Sequence, residues 1–198
     1  MPKPLGKTID TLIPDIYSTL RGLGKWDSDA SKAFAEDLSA IASSAFQEPE
    51  EYRSYVGMSS LGRPCKRSLW LKVNEPHERT PPKGSELLKF FYGHTLESLI
   101  LNIIRSTDHT VEGEQDELEI NGIFGHRDAV IDGITIDIKS SAPFSFDKYK
   151  KKGLRFDDPF GYVSQISSYV YAARDDPLVV HKDKGAVLFI NKVTGELH

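Results

Sequence analysis

The sequence has a single cysteine and no long apolar run, and both absences limit what the protein can be. Because Cys65 stands alone, the chain cannot form an intrachain disulfide, a four-cysteine zinc site or a self-contained iron–sulfur cluster. No uncharged apolar stretch approaches the roughly 18 residues of a membrane-spanning helix. The first residues also lack the apolar segment of a signal peptide. We therefore expect a soluble, intracellular protein with no membrane partner.

Basic charge is not in excess either, since the 198 residues have a net charge of −4. A surface that binds nucleic acid must therefore come from a local basic patch rather than from the whole chain. Hydrophobic residues make up 39% of the chain and include ten Phe and eight Tyr, which is enough for a sizeable core. These numbers exclude a fully disordered protein.

Two segments near the N-terminus have the apolar periodicity of helices, at 9–20 and 28–46. Pro14 predicts a break or kink inside the first of them. We expect these segments to form a helical N-terminal region over 1–57, followed by the main domain over 58–198.

Helices and strands alternate in the main domain. Ser85 is predicted to cap a helix that runs to Arg105 and packs on two sides, because its apolar residues cover more than one stripe. Asp158 precedes a proline and is predicted to cap a helix over 159–174. Residues 185–191 form a predicted apolar strand. Together these elements predict an α/β fold with a mixed central sheet flanked by helices.

The clearest β pattern is a hairpin over 123–139 with an Asp-Gly dipeptide at its turn. A two-residue turn sets the register and places Asp128 directly opposite Asp137. Two carboxylates about 5 Å apart repel by roughly 3 kcal/mol at an effective dielectric of about 20. A divalent cation between them reverses this repulsion, and carboxylate oxygens favour Mg²⁺ or Mn²⁺. The alternative is an exposed hairpin whose polar face happens to include both residues.

Lys139 shares the face of Asp137, because side chains alternate along a strand, and the same register places it opposite His126. Its ammonium can stabilise developing charge on a phosphate or orient an attacking water. Glu97 lies one turn after Gly93 among apolar residues of the long helix. A carboxylate buried there must be paired or bind metal. The alternative is a glutamate that is solvated at the edge of the apolar stripe of the helix.

Gln165 and Tyr169 are four residues apart and share a helix face, and an amide and a phenol suit a phosphate or sugar edge. The alternative is a core tyrosine beside an exposed glutamine.

Basic residues interleaved with aromatic ones follow the Lys139 strand, a composition typical of surfaces that bind a phosphodiester backbone. A smaller basic cluster lies near Cys65. Taken alone, each of the two basic clusters is explained equally well as a solvated loop. The two sets are Lys148, Lys150, Lys151, Lys152 and Arg155, and Arg63, Lys66 and Arg67. We expect Cys65 to be buried, and we expect His77, His109 and His181 to be solvated in polar loops.

In their order and spacing, these motifs resemble the PD-(D/E)XK nuclease superfamily. Within it they resemble the RecB-like exonuclease branch of phage and CRISPR-associated enzymes. The matching residues are Gly93…Glu97, Gly125-x-x-Asp128, Asp137-Ile138-Lys139 and Gln165-x-x-x-Tyr169.

The resemblance implies a restriction-endonuclease-like core and a site for Mg²⁺ or Mn²⁺. The implied metal ligands are Glu97, Asp128, Asp137 and the carbonyl of Ile138, and the implied catalytic residues are Asp128, Asp137, Lys139, Glu97 and Gln165. The resemblance also assigns Gln165 and Tyr169 to the helical motif of the branch, with Tyr169 among the residues that contact DNA.

Two features depart from the family pattern. Many RecB-like members have a histidine where Glu97 stands here, and His94 lies three residues earlier. The segment from Ser60 to Arg67 looks like the start of the iron–sulfur version of the family. Because the three later cysteines are absent, we expect no cluster.

These observations predict a metal-dependent deoxyribonuclease, of exonuclease type, that acts in phage or host DNA processing, recombination or repair. The expected substrate is single- or double-stranded DNA, the expected location is the cytoplasm of a bacterial or phage-infected cell, and a recombination or processing protein is a candidate partner. The alternatives are a non-catalytic nucleic-acid-binding or assembly subunit that keeps a nuclease fold, a structure-specific endonuclease, and a carboxylate metalloprotein built on His94 and Glu97.

Overall fold

The computed structural model describes residues 7–45, 55–75 and 81–198, which contain six α-helices and six β-strands. The helices are α1 (Leu12–Ser18), α2 (Ser28–Ala45), α3 (Lys66–Asn74), α4 (Gly84–Arg105), α5 (Pro143–Lys152) and α6 (Tyr162–Ala172). The strands are β1 (Val111–Glu112), β2 (Glu117–Ile120), β3 (Ile123–His126), β4 (Ala129–Ile131), β5 (Ile134–Ser141) and β6 (Gly185–Asn191). No helix within these ranges is long and apolar enough to cross a membrane.

The central sheet is mixed and has the order β1-β4-β5-β6. Strands β4 and β5 are antiparallel, whereas β5 and β6 are parallel. Alternate residues of the sheet pack on its two faces. Ala129 and Ile131 join a core with α4, while Val130 joins a second core with α6. The predicted α/β fold, with a mixed sheet flanked by helices, is therefore confirmed.

The predicted hairpin has the expected turn, but it is shorter than expected. Ile131 pairs with Ile134 and Ala129 pairs with Ile136, as a two-residue turn requires. Strand β3, however, pairs with β2 in a separate two-stranded sheet, so His126 lies opposite Glu117. The prediction that His126 faces Lys139 was wrong.

Buried Arg127 explains why the hairpin stops there. It donates to the Gly113 carbonyl at 3.0 Å and lies 2.6 Å from carboxylate oxygens of both Asp116 and Asp176. These contacts fix the chain at the point where it leaves the small sheet and enters the large one.

The two predicted helix starts are shifted. Helix α4 begins at Gly84, so Ser85 is not its cap, and Glu86 accepts the backbone N–H of Lys83 at 2.9 Å. Helix α6 begins at Tyr162, because Gly161 adopts a φ of 78° and closes a turn ahead of the helix. Asp158 still caps α6 through its side chain, which accepts the first two helical N–H groups at 2.9 and 2.8 Å.

Helix α4 packs on two sides only over its second half. Ile103 and Ile104 are buried there, whereas Leu88 and Phe90 in the first half are 67% and 60% exposed. The first half extends beside a cleft, so its apolar residues have no core to join.

The first N-terminal helix, α1, packs onto the same core. Leu12 and Ile16 of α1 are buried against α4 and the sheet. Pro14 neither breaks nor kinks α1, since it is the third residue of the helix, where its missing N–H costs no intrahelical bond. Helix α2 is described to Ala45, so the predicted end at residue 46 lies outside the described residues.

Candidate active site

Asp137 is the most buried charged residue of the candidate site, with 1% of its surface exposed. It lies on β5, where Ile136 and Ile138 face α4 and Asp137 faces α6. Its Oδ1 accepts hydrogen bonds from Lys139 Nζ at 2.9 Å and from Gln165 Nε2 at 3.2 Å. Its Oδ2 lies 2.9 Å from Lys139 Nζ but accepts no hydrogen bond. Such a buried oxygen is uncommon and is a candidate ligand atom.

Asp128 is buried beside it, as the hairpin register predicts. Strand β4 begins one residue later, so Asp128 is not part of the backbone ladder. Its carboxylate Oδ2 instead accepts the N–H of Ile138 at 2.5 Å. This side-chain contact continues the pairing of the two strands beyond the backbone ladder and holds Asp128 next to Asp137.

The positive charge close to the two carboxylates is too small to neutralise them. Burial, and then the charges of Asp137 and Glu97, raise the pKa of Asp128 well above its usual range. Burial also raises the pKa of Asp137, although the ion pair with Lys139 opposes this. Burial acts against the charged form of Lys139, but the charges of Asp137 and Asp128 outweigh it and raise the pKa of Lys139. One ammonium thus faces more negative charge than it can neutralise.

Glu97 approaches the site from α4. Its Oε1 accepts a hydrogen bond from Gln115 Nε2 at 2.6 Å, and its Oε2 lies 3.9 Å from His94 Nδ1. The charge of Glu97 acts on both aspartates, so the three carboxylates share one electrostatic environment. Across the ranges that the structure describes, however, no group of three or more His, Cys, Asp or Glu side chains is arranged to hold a metal ion.

Gln165 and Tyr169 share a buried face of α6, which confirms the prediction that they lie on the same side of one helix. The Gln165 amide donates to the Tyr169 hydroxyl at 2.9 Å as well as to Asp137. The helix therefore fixes the orientation of the Asp137 carboxylate.

A cleft of about 700 Å³ gives access to this site. Five of the predicted site residues line it, together with Lys89, His94 and three aromatic rings. The predicted site residues are Arg63, Glu97, Ile138, Lys139 and Gln165, and the rings are Phe90, Phe160 and Tyr162.

The predicted DNA-binding residues are divided between two places. Arg63 lines the cleft, and Lys66 and Arg67 are exposed at the start of α3. The basic run of α5 does not line this cleft, and Arg155 lines a second cleft of about 910 Å³. Within the run, Lys148 pairs with Asp157 and Lys150 with Glu196, while Lys151 and Lys152 are exposed.

Two glycines in contact lie next to residues that line the cleft. A Cβ on Gly62 would lie 2.2 Å from the Cα of Gly161, so neither position has space for a side chain. Gly62 precedes Arg63 and Gly161 follows Phe160, so the contact joins the two segments that supply these cleft residues.

Cys65 is exposed, so the prediction that it is buried was wrong. It is the N-cap residue of α3, and its Sγ accepts the backbone N–H of Ser68 at 3.4 Å. A cap at the start of a surface helix is exposed to solvent, which explains the difference.

His109 is buried, so the prediction that it is solvated was also wrong. Its Nδ1 lies 2.6 Å from Asp132 Oδ2 and its Nε2 lies 3.0 Å from Asp15 Oδ2. These contacts join α1 to the turn of the β4–β5 hairpin. His181 is exposed, as expected, and His77 lies outside the described residues.

The sequence analysis did not identify Gln115 as a site residue, nor the cleft residues Lys89, Phe90, Phe160 and Tyr162. Gln115 is the one among them that contacts Glu97. It belongs to a loop and resembles an ordinary turn residue in the sequence.

No protein-family model, curated protein or solved structure matches this chain. Any functional assignment therefore rests on the motifs and on the geometry described above.

Proposed function

We propose that this protein is a divalent-metal-dependent deoxyribonuclease of the PD-(D/E)XK type, with a restriction-endonuclease-like core and exonuclease activity of the RecB-like branch. The observation that supports this most strongly is the Asp128–Asp137 pair. Both carboxylates are buried, both have a raised pKa, and one oxygen of Asp137 accepts no hydrogen bond. Perturbed carboxylates next to a cleft are typical of functional sites.

The donor atoms fit a hard divalent cation. Carboxylate oxygens of Asp128 and Asp137 and a backbone carbonyl such as that of Ile138 are the ligands that Mg²⁺ and Mn²⁺ prefer. Asp137 Oδ2 is available as an acceptor, and Glu97 adds a third negative charge nearby. Bound Mg²⁺ or Mn²⁺ would activate a water molecule and neutralise charge on the phosphate.

The other residues of the chain have roles that follow from their contacts. Lys139 lines the cleft and remains protonated, because Asp137 and Asp128 raise its pKa, so its ammonium is available to stabilise negative charge on a phosphate. Gln165 acts as a positioning residue, since it holds Asp137 Oδ1. Tyr169 in turn fixes the Gln165 amide.

A second candidate function is a non-catalytic nucleic-acid-binding or assembly subunit. Lys139 Nζ already lies 2.9 Å from both oxygens of Asp137, and the described ranges contain no three-residue group arranged for a metal. An Asp137 carboxylate already paired with an ammonium suits binding without hydrolysis.

End-labelled single- and double-stranded DNA, incubated with Mn²⁺ or Mg²⁺ or with EDTA, tests the proposal. We expect degradation with either metal and none with EDTA. DNA binding without any cleavage would favour the subunit instead. A closed circular DNA that contains a hairpin separates the two nuclease types, because an exonuclease finds no free end and leaves it intact, whereas a structure-specific endonuclease cuts it at the hairpin.

A further inference from the structure

Aromatic rings lead from the surface of the cleft to the ion pair. Phe160 is 54% exposed and stacks on Tyr162, with ring centroids 5.5 Å apart and planes at 30°. Lys139 Nζ lies 5.7 Å from the centroid of the Tyr162 ring. On α4, Phe90 also lines the cleft and is 60% exposed. Two large apolar faces are thus presented to solvent within a cleft that ends at charged groups.

Positive charge accompanies these rings. Arg63 and Lys89 line the same cleft, and neither forms an ion pair within the described part of the chain. Lys139 lies deeper, and Glu97 is the one carboxylate among the residues that line the cleft. Because Asp137 and Asp128 face Lys139, the charges of Arg63 and Lys89 are the ones left to complement an anion in the cleft.

Rings and cations together fit one ligand class. An unpaired nucleotide offers a base face for stacking and a phosphate for a cation, whereas a duplex keeps its base faces inside the stack. A purely phosphate-binding surface needs no exposed phenylalanine, and a protein-binding surface needs no unpaired cations beside its exposed rings.

We propose that this cleft selects an unpaired DNA strand, with Phe160 and Phe90 as the surfaces on which its bases stack and Arg63 and Lys89 as the contacts to its phosphates. This inference rests on the proposed function and names the substrate that the same site prefers.

Binding in EDTA tests the inference without any cleavage. The probes are fluorescein-labelled oligothymidylate of about 16 nucleotides, a duplex of equal length and an abasic strand with the same phosphates. We expect the unmodified protein to bind the oligothymidylate more tightly than either of the other two. Phe160→Ala and Phe90→Ala should each weaken oligothymidylate binding about tenfold, as the loss of one stacked base requires, and leave duplex and abasic binding unchanged.

Three further variants separate stacking from general apolar contact. Phe160→Trp should retain binding, and Phe160→Leu should behave like the alanine variant, because leucine is apolar but does not stack. Phe156→Ala is the matched control, since Phe156 is 84% exposed but lines neither cleft. Circular dichroism of each variant confirms that these exposed substitutions leave the fold intact.

Equal or tighter binding of the duplex would overturn the inference, and so would unchanged oligothymidylate binding by both Phe160→Ala and Phe90→Ala. Failure of the proposed function has a different signature. If the protein binds oligothymidylate through Phe160 but cleaves nothing with Mn²⁺, the inference stands and the nuclease assignment fails. If the protein cleaves duplexes alone, the nuclease assignment stands and the inference fails.

Discussion

The β4–β5 hairpin has a cluster of acidic groups at each end, and the two clusters differ in burial and in how well their charges are compensated. At the turn, Asp132 lies 2.6 Å from His109 and accepts the backbone N–H of Thr110 at 3.1 Å. Asp15 faces the other nitrogen of His109 and also pairs with Lys7 at 2.7 Å. Each carboxylate at this end has a cationic or hydrogen-bonding partner.

At the open end, each carboxylate also has a partner, but the charges are less well compensated. Asp128 and Asp137 share Lys139, and Asp137 Oδ2 accepts no hydrogen bond. Burial also differs, because Asp128 and Asp137 are buried whereas Asp132 and Asp15 are only partly buried. The paired groups at the turn join separate elements, whereas buried carboxylates with an unpaired oxygen, as at the open end, are typical of functional sites.

The largest expected effect comes from the open end. Asp137→Asn should lower metal-dependent DNA degradation at least about a thousandfold, because an amide cannot replace the charge of a carboxylate ligand. The assay is release of label from end-labelled DNA with Mn²⁺. Asp132→Asn is the matched control and should retain activity, and an Asp137→Asn protein that still cuts DNA would contradict the assignment.

The next effect comes from the turn. His109→Ala leaves Asp132 and Asp15 without their shared partner and should lower the free energy of unfolding by about 3 kcal/mol, measured by urea denaturation. His181→Ala, at an exposed histidine, should change it by less than about 0.5 kcal/mol. Specific activity of the folded His109→Ala protein should be unchanged, and its loss would mean that the two clusters are not independent.

A smaller effect of opposite sign is expected from Asp128→Asn in EDTA. Because the pKa of Asp128 is raised in the folded state, its ionised form destabilises the fold, and this cost develops as pH rises above the unfolded value of about 3.9. The amide should therefore stabilise the metal-free protein at neutral pH, by at most about 3 kcal/mol.

Thermal unfolding of Asp128→Asn and of the unmodified protein across a pH series measures this difference. The advantage of the variant should disappear below about pH 4, where the carboxyl of the parent is protonated. If the variant were less stable than the unmodified protein at neutral pH, the carboxylates at the open end would be as well compensated as those at the turn.

The smallest effect is expected from the basic run on α5. Lys151→Ala combined with Lys152→Ala should weaken DNA binding less than about twofold at physiological salt, because these exposed residues do not line the cleft. Arg63→Ala, within the cleft, should weaken it more. If fluorescence anisotropy showed a larger loss of DNA binding for the double lysine variant than for Arg63→Ala, the DNA would bind across α5.

The elements with strong periodicity could be predicted from the sequence. Strand β6 has the predicted bounds, and the Asp-Gly dipeptide set the register that brings Asp128 to Asp137. The other strand of the hairpin was predicted too long, because a run of β-forming residues does not show which partner it pairs with. The contacts of Arg127 that separate β3 from β4 come from residues far apart in the sequence.

The site was predictable where its residues share one element and not where they come from separate loops. The spacing of Gln165 and Tyr169 on one helix predicts their contact. Gln115 approaches Glu97 from a loop, and Asp15 approaches His109 from 94 residues away, so no local pattern indicates either contact. The burial of His109 follows from that long-range pairing.

The contact between Gly62 and Gly161 has a consequence for the shape of the cleft. Their backbones touch where the segment that leads into Arg63 meets the segment that follows Phe160, and Arg63 and Phe160 both line the cleft. One added methyl at either glycine would force these segments to shift, while Arg63 and Phe160 kept their own side chains. The spacing of two cleft residues is therefore governed by two residues that offer no chemistry of their own.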